Sequence, residues 1–116
     1  MQISVTIEGL KEYQDKLKEM PFALRRGLAD AIKKSALLVE GQGKINAPVD
    51  TGRLRASILT EIEPLRATVS PTVSYAVFVH EGTRYIRSRP FMYDAVQQTK
   101  DEINDIFISE IKKSIN

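Results

Sequence analysis

PFALRRGLADAIKKSALLVEGQGKINAP, residues 21 to 48, is the stretch on which the fold turns. Pro21 suits the first turn of a helix, where its missing amide hydrogen costs nothing. The residues after it hold few breakers, and Leu24, Leu28, Ala31, Ile32, Ser35, Leu38, Val39 and Gln42 recur at the spacing of one broad helical face. At 1.5 Å per residue, a helix from Pro21 to about Asn46 is a rod about 39 Å long. Gly41 and Gly43 weaken its last turns, and Ala47-Pro48 stops it.

Downstream, a turn from Pro48 to Gly52 leads into two β-rich segments, Ser57 to Glu63 and Arg66 to Ser70, joined at Glu63-Pro64-Leu65. A hairpin is the economical reading. Tyr75 to Glu81 reads two ways. Val77 and Val79 favour a strand, whereas Tyr75, Ala76, Val79 and His80 line one face of a helical turn; the segment is read as helix. Gly82 ends it, Thr83 to Arg89 forms a basic loop, and Pro90 opens another helix. From Phe91 onward, Ala95, Val96, Thr99, Ile103, Ile106, Phe107, Ile111 and Ile115 follow a period near 3.6 residues, so this last helix runs to the end of the sequence.

Upstream, Ile3, Val5 and Ile7 alternate with Gln2, Ser4 and Thr6, the pattern of a half-buried strand. Gly9 ends it. Leu10, Tyr13 and Leu17 then mark a short amphipathic helix to about Glu19, with Lys11/Asp15 and Glu12/Lys16 able to pair four residues apart. No repeat, linker or low-complexity segment interrupts this order. The expectation is one α+β domain over residues 1–116, a small, mostly antiparallel sheet packed against two long helices and a short N-terminal helix.

Composition agrees with one folded core: 116 residues, 42% hydrophobic and 28% charged. No apolar run is long enough to span a bilayer, and the opening residues do not read as a signal segment, so a soluble chain made in the cytoplasm is expected. Cysteine is absent, which removes disulfides, thiolate metal sites and cysteine nucleophiles. A net charge of +2 is too balanced to imply a nucleic-acid partner by itself.

Three motifs invite a chemical reading. Asp50-Thr51-Gly52 matches the core of the aspartic protease signature, in which two carboxylates on a dimer axis share a proton. That enzyme is an all-β barrel, and here the triplet lies between long helices and is followed by the cations Arg53 and Arg55. The default is a turn, with Asp50 accepting backbone hydrogen bonds and Gly52 taking a conformation closed to other residues. Gly41-Gln42-Gly43-Lys44 lacks the earlier glycine and the following hydroxyl of a phosphate loop, since Leu38 and Ile45 stand there. His80, the only histidine, has Glu81 beside it but no clustered metal ligands, and it has no nucleophile elbow to serve in Ser-His-Asp catalysis. No cofactor or metal is expected.

Three blocks in order resemble a known family: Ala47-Pro48-Val49-Asp50-Thr51-Gly52-Arg53-Leu54-Arg55-Ala56-Ser57-Ile58, then Tyr75-Ala76-Val77-Phe78-Val79-His80-Glu81-Gly82-Thr83, then Arg89-Pro90-Phe91-Met92-Tyr93-Asp94-Ala95. They resemble the small head-to-tail joining, or tail-completion, neck proteins of long-tailed phages and prophages. The resemblance implies a non-enzymatic structural subunit of the virion. Such a subunit would close or bridge the head-proximal end of the tail as a ring of sixfold symmetry. Its partners would be itself, the tail-tube proteins and the connector or head-closure proteins, with DNA passing through the lumen and no membrane.

As framework, Pro48, Asp50, Thr51, Gly52, Arg53 and Leu54 set the turn between the long helix and the hairpin. Tyr75, Ala76, Glu81, Gly82 and Thr83 carry the short element and its reversal, and Arg89 with Pro90 starts the last helix. Arg53 and Arg89 are each suited to a bidentate pair with Asp50, Glu81 or Asp94. Candidate subunit contacts are the two turns, through Glu63, Pro64 and Leu65 and through Arg84, Tyr85 and Arg87. Two rival functions stand beside this one: a nucleic-acid-binding module using Arg84, Arg87 and Arg89 with Tyr85 and Phe91 as stacking surfaces, and the homodimeric aspartic protease.

Overall fold

The long helix forms where the periodicity puts it. The computed structural model describes residues 4–8, 21–48, 52–84 and 87–115. Within them β1 (Val5–Glu8) precedes α1 (Phe22–Asn46), and α2 (Arg53–Ala56) follows. The hairpin of β2 (Ile58–Glu63) and β3 (Arg66–Pro71), the short α3 (Ala76–Glu81) and the long α4 (Phe91–Ile115) complete the chain. The expected short helix from Leu10 to Glu19 lies outside the described residues, as does the start of the first strand.

Both prolines stand one position before their helices rather than inside the first turn. Pro21, at φ −53° and ψ 142°, is the N-cap of α1, and its carbonyl accepts the amide of Arg25 at 3.1 Å. The carbonyl of Pro90 accepts the amide of Asp94 at 2.9 Å in the same way. A fixed φ with an extended ψ presents the carbonyl for the first intrahelical bond without requiring a proline amide.

The three strands form one antiparallel sheet in the order β1-β3-β2. Pairing of Val5 with Val69 and of Thr60 with Val69 fixes the register. On the inner face Ile58, Ala67 and Val69 are fully buried, while Thr68 and Ser70 face outward beside Glu61. This is the alternation of a sheet with one covered face.

Both α1 and α4 lie on that covered face, packed antiparallel to one another. Gly27 lies against Ser114 at one end and Gly43 against Met92 at the other. The core cluster joins Ile32, Ala36 and Val39 of α1, Ile58, Ala67 and Val69 of the sheet, and Phe91, Met92 and Ala95 of α4. Full burial of each large apolar side chain stabilises by about 1.5–3 kcal/mol.

Two expectations about the faces need correction. The buried side of α1 includes Gly27, Ala36 and Gly43, while Leu24, Leu28, Leu38 and Gln42 are half-buried at its margins. In α4 the deepest residues are Phe91 and Met92 at the start, and Phe107, expected to be largely buried, is half-buried. Phe91, Met92 and Ala95 of α4 belong to the core cluster, whereas Ile103 and Phe107 further along the helix pack against it while partly exposed.

Polar side chains tie the layers at defined points. Asn46 accepts from Gln42 at 3.1 Å and donates to the Phe91 carbonyl at 3.3 Å and to Gln98 at 2.7 Å, joining the end of α1 to the start of α4. Thr60 donates to Glu40 at 3.0 Å, fastening β2 to α1. Lys34 pairs with Glu110 across the two long helices.

Candidate assembly interface

The β2–β3 hairpin is closed by Pro64 and Leu65 alone, because the pairing continues to Glu63 and Arg66. A two-residue hairpin loop needs positive φ at one or both central positions. Proline forbids it at the first, so Leu65 adopts φ 60°. A leucine in that region is unusual, and such outliers concentrate at sites of function. Glu61, Glu63 and Pro64 are exposed around the tip, and Leu59 and Ile62 on the same edge strand are 51% and 50% exposed. Since β2 is an outer strand of the sheet, its outer backbone row pairs with no strand among the described residues, the kind of edge to which a partner strand can add.

The second candidate turn follows α3, the segment that read two ways and is a helix. Gly82, at φ 80° and ψ 168°, reverses the chain, its amide closing on the Phe78 carbonyl at 2.9 Å. The returning strand of the loop is fastened back to α3: Ser88 Oγ donates to the His80 carbonyl at 2.9 Å and the Arg89 amide to Val79 at 3.0 Å. Arg84, Arg87 and Arg89 are exposed on this short, clamped loop. Tyr85 lies outside the described residues.

His80 is a half-buried framework side chain. Its ring meets Phe91 edge-on at 5.4 Å between centroids, and Nδ1 is 3.1 Å from Glu81 Oε1. Among the described residues no group of His, Asp and Glu side chains is placed to hold a metal ion.

Gly52 adopts φ 78°, the conformation that the turn reading assigned to it, and α2 follows directly. Leu54 is 4% exposed, and the hydroxyls of Ser57 and Thr72 close the base of the hairpin on the Leu54 and Ser57 carbonyls. Asp50 and Thr51 are outside the described residues. Arg89 makes no ion pair with Glu81 or Asp94 among them, so the expected bidentate clamp is absent there; the Arg89 backbone amide holds the loop instead.

The three sequence blocks meet in space. Ala47 and Leu54 from the first, Ala76 from the second and Phe91, Met92 and Ala95 from the third belong to one core cluster. Phe91 is 1% exposed and cannot stack on a nucleobase, which removes half of the aromatic surface of the nucleic-acid reading. The α+β fold also lacks the all-β barrel that the protease reading requires.

Sequence periodicity missed a third surface. Phe22, Leu37 and Ile45 on α1, Phe78 on α3 and Tyr93 and Ile108 on α4 are exposed. Their signal is local: each is a large apolar residue off its helix's apolar face. No helix among the described residues is long and apolar enough to cross a membrane.

Comparison with protein families places the chain among bacteriophage tail components. It belongs to the HK97-gp10-like family, described as "Bacteriophage HK97-gp10, putative tail-component", whose model matches residues 9–82. No curated protein and no solved structure matched.

Proposed function

We propose that this chain is the repeating subunit of a ring at the head-proximal end of a phage tail, joining or closing the head–tail interface in the virion. The observation that carries the reading is the convergence of the three motif blocks on one core, in a chain of the tail-component family. A shared core makes the motif residues a framework, from Pro48 through Gly52 to Leu54, from Tyr75 and Ala76 to Thr83, and at Arg89 and Pro90. Contact with partners is assigned to the strained tip at Glu63, Pro64 and Leu65 and, as candidates from the sequence, to Arg84, Tyr85 and Arg87.

A ring requires heterologous contacts, in which one surface of a subunit meets a different surface of the next. An acidic hairpin edge with Glu61 and Glu63, and a basic loop with Arg84 and Arg87, supply two surfaces of opposite sign. The ring is sixfold, continuous with a sixfold tail, and made from single-domain subunits synthesised in the host cytoplasm. Its neighbours are the tail-tube and connector or head-closure proteins, and DNA passes its lumen without sequence-specific contact.

Removing the gene should leave filled heads and finished tail tubes unjoined. Arg84→Ala with Arg87→Ala should reduce joined particles while the purified chain keeps its melting temperature. Imaging of the neck decides the assembly: an isolated monomer or a two-fold dimer in the particle would sink the ring.

A further inference from the structure

We infer that neighbouring subunits of the ring meet through their long helices, the side of α1 turned away from α4 in one copy packing on the side of α4 turned away from α1 in the next. This rests on the ring reading above and names the partner surface within it.

The two helices already form one layer within a subunit, and each has an outer side that no other described element covers. Helical spacing of 3.6 residues per turn sets Phe22, Arg26, Lys33 and Leu37 together on the outer side of α1. Phe22 is 76% exposed and Leu37 46%, and Arg26 and Lys33 are exposed between them. On α4 the outer side carries Asp94, Asp101, Asp105 and Ile108, all exposed. One face is cationic with apolar contacts, and the other is acidic with an apolar contact. A second copy of this chain carries the complement of both.

The levels along the helices also agree. Because α1 and α4 are antiparallel, with Gly27 beside Ser114 and Gly43 beside Met92, the start of α1 is level with the end of α4. In a ring whose axis runs along these helices, rotation carries each residue to the same level in the next copy. Lys33 then comes within about one helical turn of the neighbour's Asp105. Asp30, an acid on the basic face, comes as close to Lys112, a cation on the acidic one. Lys44, which also pairs with Glu40 of its own helix at 3.7 Å, comes near Asp94. Opposite charges meet at three levels, and a like arrangement repeats at every seam until the ring closes.

Lack of cysteine in the chain makes the seam directly testable. Lys33 and Asp105 of one chain lie on opposite sides of a helix pair, their Cα atoms separated by roughly 13–15 Å, whereas a disulfide requires Cα atoms within about 7 Å. A Lys33→Cys, Asp105→Cys chain can therefore link only to a neighbour. In assembled particles, mild oxidation should give a ladder of covalent oligomers ending at the ring number. In parallel, Lys33→Glu alone and Asp105→Lys alone should each lower the yield of joined particles about tenfold, the scale set by like charges brought together, and the two combined should restore it. Both positions are exposed, so the variants should keep the parent melting temperature. A ring visible in the neck with no ladder and no rescue by the charge swap would overturn the helix seam and leave the ring standing. A neck with no ring would overturn both.

Discussion

Gly27 of α1 and Ser114 of α4 stand so close that a Cβ on Gly27 would lie 2.8 Å from the Ser114 Cβ and 3.1 Å from the Glu110 carbonyl oxygen. Neither neighbour is the free end of a flexible side chain, so any larger residue must push the helices apart. Gly41, on the same helix, faces open space. Two glycines of one helix therefore carry opposite predictions. Gly27→Ala should lower stability by about 1 kcal/mol, overpacking outweighing the gain in helix propensity. Gly41→Ala should raise it by about 0.5–1 kcal/mol. Urea denaturation of the two variants decides, and equal shifts of the same sign would contradict the packing.

The ion pair between Lys34 and Glu110 makes a pH prediction. The hydrogen bond from Lys34 holds the Glu110 carboxyl below the usual carboxylate range despite partial desolvation, with Lys113 adding to the effect. The same bond raises Lys34 above the usual lysine range. A lowered acid contributes stability above its unfolded pKa, about 4.3, and loses it as pH falls through the lower folded value. A raised base contributes below its unfolded pKa, about 10.4, and loses it as pH rises through the folded one. The contribution is thus flat across neutral pH and falls away at both extremes. Glu110→Gln should flatten the acid limb of a melting-temperature profile; a variant with an unchanged limb would show that the pair contributes nothing.

Much of the fold is legible in the sequence because its punctuation is strong. Pro21, Pro48, Gly52, Gly82 and Pro90 each fall at an element boundary, and between them the apolar period separates helix from strand. What could not be read is long-range. Glu110 reads as a surface residue by its charge, yet its position, three and four residues after Phe107 and Ile106, lies on the buried face of α4, and it is 8% exposed and paired with Lys34 of α1. Gly27 and Gly43 carry no hydrophobic signal, yet they mark where the helices touch most closely, because the absence of a side chain permits the approach. Asn46 looks like a helix end and is one, but its side chain also joins two helices. In the candidate interface the turns were legible from Pro64 and Gly82, whereas the exposure of Phe22, Leu37 and Tyr93 depends on where the neighbouring elements stop.

Ser35 is fully buried and its hydroxyl has no hydrogen-bond partner among the described residues. An unsatisfied buried hydroxyl destabilises, and alanine removes it with little change of shape. Ser35→Ala should raise stability by about 1 kcal/mol. Ile32, one turn earlier and 1% exposed, sets the contrast: Ile32→Asp places an unpaired charge in the core and should cost at least about 3 kcal/mol. Calorimetry of both variants checks the pair, and a destabilised Ser35→Ala would mean that the hydroxyl has a partner in solution.

Leu59 and Ile62 separate folding from assembly at the hairpin. Each is about half exposed on the outer strand β2, where the open backbone row and the neighbouring Glu61 and Glu63 form one edge. Leu59 lies on the outward face and Ile62, paired with Ala67, on the inward one; threonine is β-branched, suits a pleated surface and removes apolar area at both half-exposed positions. Replacing both with threonine should change the stability of the isolated chain by no more than about 1 kcal/mol, as expected for half-exposed positions. If the edge is a subunit contact, the same change removes the apolar part of a surface repeated at every junction of the ring, and the loss multiplies around the closed assembly. The double variant should therefore fold normally, with an unaltered circular dichroism spectrum, and be depleted from purified particles. Normal incorporation would exclude the hairpin edge from the contact and leave the basic loop and the long-helix seam to account for it.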